Sequence, residues 1–398
     1  MSKLVVDTNV LLPRSSFLFG RHSRPTTEPT CSNRSLSDSI KKDHAKTVYI
    51  LGAGASSFAG FPLSGDLWKF LKKETGSADH QTRISGKRWI DAVEKVIVHL
   101  GADQESPDLE LISTLIDLSE KNPGVLGAVH LPDLRAARYG FARLVTSAFQ
   151  WHSMRVGAWI FNETENERLD WSGRPLNRRK FLDVIQAWAN LVNGGDTIIT
   201  FNWDLLHEMI LFKAEKWDHG KGYGFQFSPA RAIQSRVIVL KLHGSCNWAL
   251  RSTDEKPFVD YADQFFPVPN PEVHTEDQDP SLGETADHGE SLILPSYLKD
   301  PTKKPVVFAV WTQAQSALQR ANKIIVLGYS LPPADAPTRT MISLALRQNL
   351  RLDGVQVALG SDGAAYARWE DICDAAGKRV RPIHQTFEEF VLDRPFVC

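Results

Sequence analysis

The stretch Val48-Tyr49-Ile50-Leu51-Gly52-Ala53-Gly54-Ala55-Ser56 decides the fold class. Four apolar residues stop abruptly at small ones, as the carboxyl end of a buried parallel strand does before a tight turn. Three later stretches repeat the pattern: Thr200-Phe201-Asn202-Trp203-Asp204, Leu240-Lys241-Leu242-His243-Gly244-Ser245 and Ile324-Ile325-Val326-Leu327-Gly328-Tyr329-Ser330. Ligands of open α/β sheets bind at that edge. Four strand ends carrying Gly, Asn, Asp, His and Ser therefore suggest one composite site.

Outward from these strands, apolar residues recur at helical spacing in 89–100, 109–118, 134–151 and 180–192. They predict a large helical insertion over about 63–195, covering the site or offering apolar faces to a partner or a second copy. Ser64 is placed to cap a helix from Asp66 to Lys73. After residue 200 the rhythm is β-α-β: helices from Leu205, near Val307–Arg320 and over Pro337–Leu346, and a strand at 355–361. The fold class expected is α/β, a doubly wound, Rossmann-like parallel sheet. One domain over 47–398 follows a leader, 1–46, whose Ser, Arg, Thr and Pro content does not support packing. Residues 267–290 hold seven acidic residues and no Lys or Arg, and read as a solvated loop. Both segments are expected to be dispensable for ligand binding.

Composition excludes several classes. With 398 residues, 42% apolar and a formal charge of -1, the chain can bury a substantial core and has no whole-surface nucleic-acid footprint. Cys31, Cys246, Cys373 and Cys398 lack any CxxC spacing, so neither zinc nor a disulfide framework is indicated, and a reducing, cytoplasmic setting is expected. No run of eighteen apolar residues suggests a membrane span, and the opening MSKLVVDTNVLLP is too short and interrupted for a secretory signal.

Gly52, Ala53, Gly54 and Ser56 form a turn at which backbone amides can approach a pyrophosphate, or a turn that needs glycine for packing alone. Ser57 stands where a dinucleotide fingerprint wants a third glycine, and no acid ends a second strand, which disfavours hydride transfer. His243 can act as a base or be structural. Asn202 and Asp204 end a strand, with Asp204 also a good cap for the next helix. Gly328 and Ser330 can contact a ribose or merely turn the chain. Strand-end positions place Asn202 and His243 outside the expected apolar core.

Together these residues resemble the sirtuin (Sir2) family, more closely its divergent prokaryotic SIR2-like branch, over roughly 47–393. The family's NAD-carrying GAG-[AI]-S turn and AG-[IF]-P segment match Gly52, Ala53, Gly54, Ala55, Ser56, Ala59, Gly60 and Pro62. Its T-x-N-x-D segment matches Thr200, Asn202 and Asp204; its HGS segment, with the catalytic histidine, matches His243, Gly244 and Ser245; its later G-[TY]-S matches Gly328, Tyr329 and Ser330. Two departures matter. Protein-deacylating members read Asp-Phe-Arg after the proline, where this chain has Leu63, Ser64, Gly65; they also carry a zinc module, where this chain offers only Cys246.

The resemblance implies NAD+ as a substrate, no metal, and the chemistry of SIR2-like NAD+ hydrolases of antiphage defence. It implies catalytic roles for Asn202, His243 and Asp204, with NAD contacts from Gly52, Ala53, Gly54, Ser56, Pro62, Thr200, Gly244, Ser245, Gly328 and Ser330. It further implies a homo-oligomer or an activating partner such as an Argonaute-like protein or a HerA-like ATPase. A catalytically silent NAD or ADP-ribose sensor and an NAD-dependent deacylase remain open.

Overall fold

The computed structural model describes residues 46–77, 80–122, 131–161, 168–225, 235–252, 257–261, 292–303 and 305–393, all within the compact unit His44–Cys398. The acidic loop 267–290 and the leader up to residue 45 lie outside the described residues. In chain order β1 (Thr47–Leu51) is followed by α1 (Leu67–Ser77), α2 (His80–His99), α3 (Leu109–Lys121), α4 (Leu131–Phe161), the hairpin β2 (Arg168–Leu169) with β3 (Pro175–Leu176), and α5 (Arg178–Leu191). Then come β4 (Thr197–Thr200), α6 (Leu206–Lys213), α7 (His219–Gly222), β5 (Ile238–Lys241) and the hairpin β6 (Trp248–Ser252) with β7 (Pro257–Tyr261). The chain continues through α8 (Pro305–Arg320), β8 (Lys323–Leu327), α9 (Ala336–Gln348), β9 (Gly354–Ala358), α10 (Gly363–Ala375), β10 (Arg379–Ile383) and α11 (Phe387–Leu392).

Six strands form one sheet in the order β10-β9-β8-β1-β4-β5, and every pair is parallel. Counting those six alone in chain order, the arrangement is 3-2-1-4-5-6, the doubly wound Rossmann order. The order of strand addition reverses between β1 and β8, and Tyr49 lies between Ile198 and Ile325 in register. Parallel strands buried on both faces need apolar side chains on both, and Val48, Tyr49, Ile50 and Leu51 are all buried. Edge strand β10, which the motif reading does not contain, alternates differently: Arg379, Arg381 and Pro382 are exposed. Charge and proline protect a sheet edge against further pairing, and the same residues hide the strand from an apolar-run reading.

The helical insertion is present. Its centre is α4, 31 residues long, against which α1, α2, α3 and α6 pack. Phe149 of α4 meets Trp203 edge to face at 5.6 Å, Gln150 Nε2 donates to the Cys246 carbonyl at 2.6 Å, and Leu205 N–H donates to Ser153 Oγ at 3.4 Å. The insertion thus rests directly on the carboxyl ends of β4 and β5. One local expectation changes, the Ser64 cap. The piece after β1 is a pair of 3-10 turns, Ala53–Ala55 and Ser57–Ala59, and Ser64 opens a further 3-10 turn without capping it. A turn interlocked with its neighbour has no room to wind into a longer helix there.

His207 of α6 is 1% exposed and wedged edge-on against Trp188 and Phe387, each with ring centroids 5.5 Å away. Burial, and next the Lys241 charge, push its pKa down to about 3. The unfolded chain, with an ordinary value of about 6.5, therefore binds a proton that the folded chain refuses. Stability present above about pH 6.5 is lost as pH falls toward the folded value. His207→Leu should flatten this acid limb: between pH 7 and 4.5 it should spare about 2–3 kcal/mol of the loss seen in the parent, read from urea midpoints at both pH values. An acid limb of unchanged steepness would refute the assignment.

Candidate functional site

At the switch point the ends of β1 and β8 interlock. Gly52 N–H donates to the Leu327 carbonyl at 3.2 Å and Gly54 N–H to the Gly328 carbonyl at 3.1 Å. Gly328 has φ +65°, and a Cβ there would lie 2.4 Å from Ala55 N; one on Gly52 would lie 2.6 Å from the Gly328 oxygen. Glycine is therefore required by packing at both positions. The amides of Ala55 and Ser56 are also bonded, to the Gly52 and Ala53 carbonyls. What the turn offers a ligand is close backbone approach rather than a fan of open amides. Gly328→Ala should cost at least about 2 kcal/mol, from the left-handed conformation and the backbone overlap together; an unchanged urea midpoint would contradict this.

Asn202, at the end of β4, clasps that turn. Its Nδ2 donates to the Gly52 carbonyl at 2.9 Å and to Ser56 Oγ at 3.0 Å, while its own N–H donates to Thr200 Oγ1 at 3.1 Å. Asp204 Oδ1 accepts the Leu206 N–H at 3.0 Å in the first turn of α6, so it does serve that helix start. Burial raises its pKa to about 6, against the opposing pull of Lys241. Pro62 is buried, with Ala53 and Gly54 half-buried.

His243 follows β5 on a backbone held from two sides. Its carbonyl accepts Trp203 Nε1–H at 3.1 Å and the Ile293 N–H at 2.9 Å, and Gly244 reverses the chain with φ +76°. Its ring stands edge-on to Phe201 at 5.2 Å, and Phe201 in turn stacks on Tyr329 at 4.0 Å. These contacts join the ends of β4, β5 and β8; the Asn202 clasp adds β1. All four motifs thus meet at one edge of the sheet.

His243 Nε2 has no hydrogen-bond partner among the described residues, and Asp335 Oδ1 is 3.7 Å away. Burial lowers the His243 pKa to about 4; Asp335 pulls it up and Lys299 pushes it down. Asp335 is gripped by Lys299 Nζ and by Tyr329 OH, the latter at 2.7 Å. Burial alone would raise the Asp335 pKa, yet His243, Lys299 and the Lys299 and Tyr329 hydrogen bonds together hold it below the ordinary carboxylate value. The expectation that Asn202 and His243 lie outside the core is corrected: they are 9% and 7% exposed.

Behind the site lies a buried polar network. Lys241, fully buried on β5, donates to Glu208 Oε1 at 2.7 Å and to the Asp204 carbonyl. Tyr223 OH bonds Glu208 at 3.3 Å, Asn247 Nδ2 reaches Tyr223 OH at 3.5 Å, and Ser245 Oγ bonds Asn247. Ser245 thus faces this network. Ser330 is half-buried, and its carbonyl accepts Arg368 Nε–H at 2.9 Å.

Motif reading passed over Lys241, Lys299 and Asp335. A lysine inside an apolar strand is itself a signal of a buried ion pair. Asp335 stands before Ala336 and Pro337, where an acid reads as a helix cap, yet no side-chain cap bond forms and the carboxylate turns to Lys299 and Tyr329. Lys299 carries no local signal. Among the described residues no group of three or more His, Cys, Asp and Glu could hold a metal ion, and no helix is long and apolar enough to cross a membrane.

No protein-family model and no curated protein sequence matches the chain. Among solved structures, the chain is similar to the structure of Sir2Tm bound to a propionylated peptide, at 16% identity and a TM-score of 0.34, covering 87% of this chain and 90% of that one. The strand order, not this likeness, defines the fold as doubly wound α/β.

Proposed function

We propose that this chain hydrolyses NAD+ at the nicotinamide–ribose bond, giving nicotinamide and ADP-ribose. The observation that carries this reading is a neutral, buried histidine with an unpartnered ring nitrogen, placed where four strand ends meet beside a glycine turn. The interlocked glycine turn would take the pyrophosphate by close backbone approach, and the half-buried Gly328 and Ser330 the adenosine side. As the N-glycosidic bond breaks, its electron pair passes to the pyridinium nitrogen and positive charge develops on the ribose. A water molecule adds to the anomeric carbon, and His243 removes the water's proton, directly or through a ribose hydroxyl. Asn202, with its Nδ2 committed to the turn, would use its remaining carbonyl oxygen to orient water or hydroxyls. Asp204 would support the loop, its Oδ1 accepting the Leu206 N–H.

A constitutive NAD+ consumer would kill its host, so activity should be low in the isolated chain and rise on self-assembly or with an activating partner, such as an Argonaute-like protein or a HerA-like ATPase. An antiphage-defence role follows as part of the proposal. The test is to incubate the purified chain with NAD+, with and without an acetylated peptide, and to measure nicotinamide. Release without peptide supports hydrolysis, and release only with peptide makes it a deacylase. Binding without release at any protein concentration makes it a sensor.

A further inference from the structure

Among the described residues outside the motifs, a carboxylate from the turn after β8 reaches the His243 ring. Asp335 is 2% exposed, and its two oxygens have separate tasks. Oδ2 accepts from Tyr329 OH at 2.7 Å; Oδ1 is paired with Lys299 and lies 3.7 Å from His243 Nε2. Nε2 has no hydrogen-bond partner among the described residues, so its lone pair is open to a proton. A proton accepted by His243 therefore arrives at the nitrogen facing Asp335.

We propose that Asp335, held by Lys299 and Tyr329, is a positioning residue for His243, orienting its imidazole and stabilising the imidazolium formed when Nε2 takes a proton from the attacking water. The proposal rests on the hydrolase reading for its chemistry, but not for its geometry. The proton leaves water for Nε2, the hydroxide oxygen bonds the ribose carbon, and the proton then passes from Nε2 to solvent, so the carboxylate itself never changes charge. Lys299 balances Asp335 in the resting site, which would otherwise hold an uncompensated buried anion.

The segment supplying Lys299 is itself anchored. Ser296 Oγ donates to Asp117 Oδ2 at 2.7 Å and Tyr297 N–H donates to Thr114 Oγ1 at 2.8 Å, both on α3. Charged and titratable groups facing the pair are thus Lys299 from this segment, Glu110 from the first turn of α3, and Tyr329 from the end of β8. Burial raises the Glu110 pKa, against the opposing pull of Lys299.

A merely structural latch would use the same three groups to tie 292–300 to the turn before α9, so the test must read the imidazole. In the full chain, the His243 ring resonance, assigned by its loss in His243→Gln, is titrated by NMR in the parent, Asp335→Asn and Lys299→Gln. NAD+ cleavage is followed across the same pH range. Removing the negative charge should move the His243 midpoint to lower pH, and removing the positive charge should move it to higher pH. Asp335→Asn should lower kcat at least about tenfold while leaving KM within a few-fold, as loss of an orienting partner does, and Asp335→Glu should restore part of it. An unmoved midpoint in folded Asp335→Asn, or equal shifts of one sign in both variants, overturns the proposal. Should Asp335→Asn not fold, the upward shift in Lys299→Gln decides. A parent that titrates as described but never cleaves NAD+ would sink the hydrolase reading and leave the pairing intact.

Discussion

His243→Ala should abolish at least about 99% of NAD+ cleavage, the hundredfold scale of losing a general base, while the protein stays folded. The reason it stays folded is local. Nε2 has no bonded partner to strand, Asp335 keeps Lys299 and Tyr329, and the backbone is still held by Trp203 and Ile293. The loss is the edge contact with Phe201 and a small cavity, worth about 1–2 kcal/mol. If His243 were only structural, the variant would melt early and its surviving folded fraction would remain active. Nicotinamide release and thermal melting on the same samples separate these outcomes. Asn202→Ala is a poorer probe, because removing its amide strands the Gly52 carbonyl and Ser56 hydroxyl and loosens the turn as well as any bound water.

Lys241→Met should be the most destabilising of these substitutions, by about 3–5 kcal/mol, the scale for leaving one member of a buried ion pair alone. Lys241 and Glu208 are 0% and 1% exposed, and the methionine cannot replace the bonds to Glu208 and the Asp204 carbonyl. The melting temperature should fall by roughly 10 °C on the usual scaling for a large domain. Adding Glu208→Leu should recover more than half of the loss, since the stranded charge is then gone. A Lys241→Met protein melting within a degree or so of the parent would mean that the pair contributes nothing. Because Lys241 also holds the carbonyl of Asp204, looser binding of substrate is expected in the single variant even where it remains folded.

Gly52, Gly54 and Gly328 were legible as turn residues, but their two readings, phosphate approach and packing, were inseparable until β1 and β8 were seen side by side. Asn202 and His243 were legible as strand-end polar residues; their burial was not. A period-two or apolar-run pattern records which residues precede a turn, whereas burial depends on what the 31-residue α4 lays across that turn. β10 escaped notice because Arg379, Arg381 and Pro382 protect an edge rather than fill a core.

The chain's own pattern determined the architecture: four apolar runs ending in small or polar residues, spaced by helical stretches, admit a parallel sheet wound on both faces and little else. It also determined which four strand ends carry polar chemistry. Only the tertiary structure decided the partners of that chemistry. Asp335 and Lys299 stand 92 and 56 residues beyond His243, on a turn and a segment without a periodic signal, and Asp335 meets the imidazole because the ends of β5 and β8 open on the same edge of the parallel sheet. Short-range spacing encodes which backbone forms; the pairing of buried charges is set by which remote segments the closed core forces together, and the cost of leaving any of them unpaired selects the arrangement.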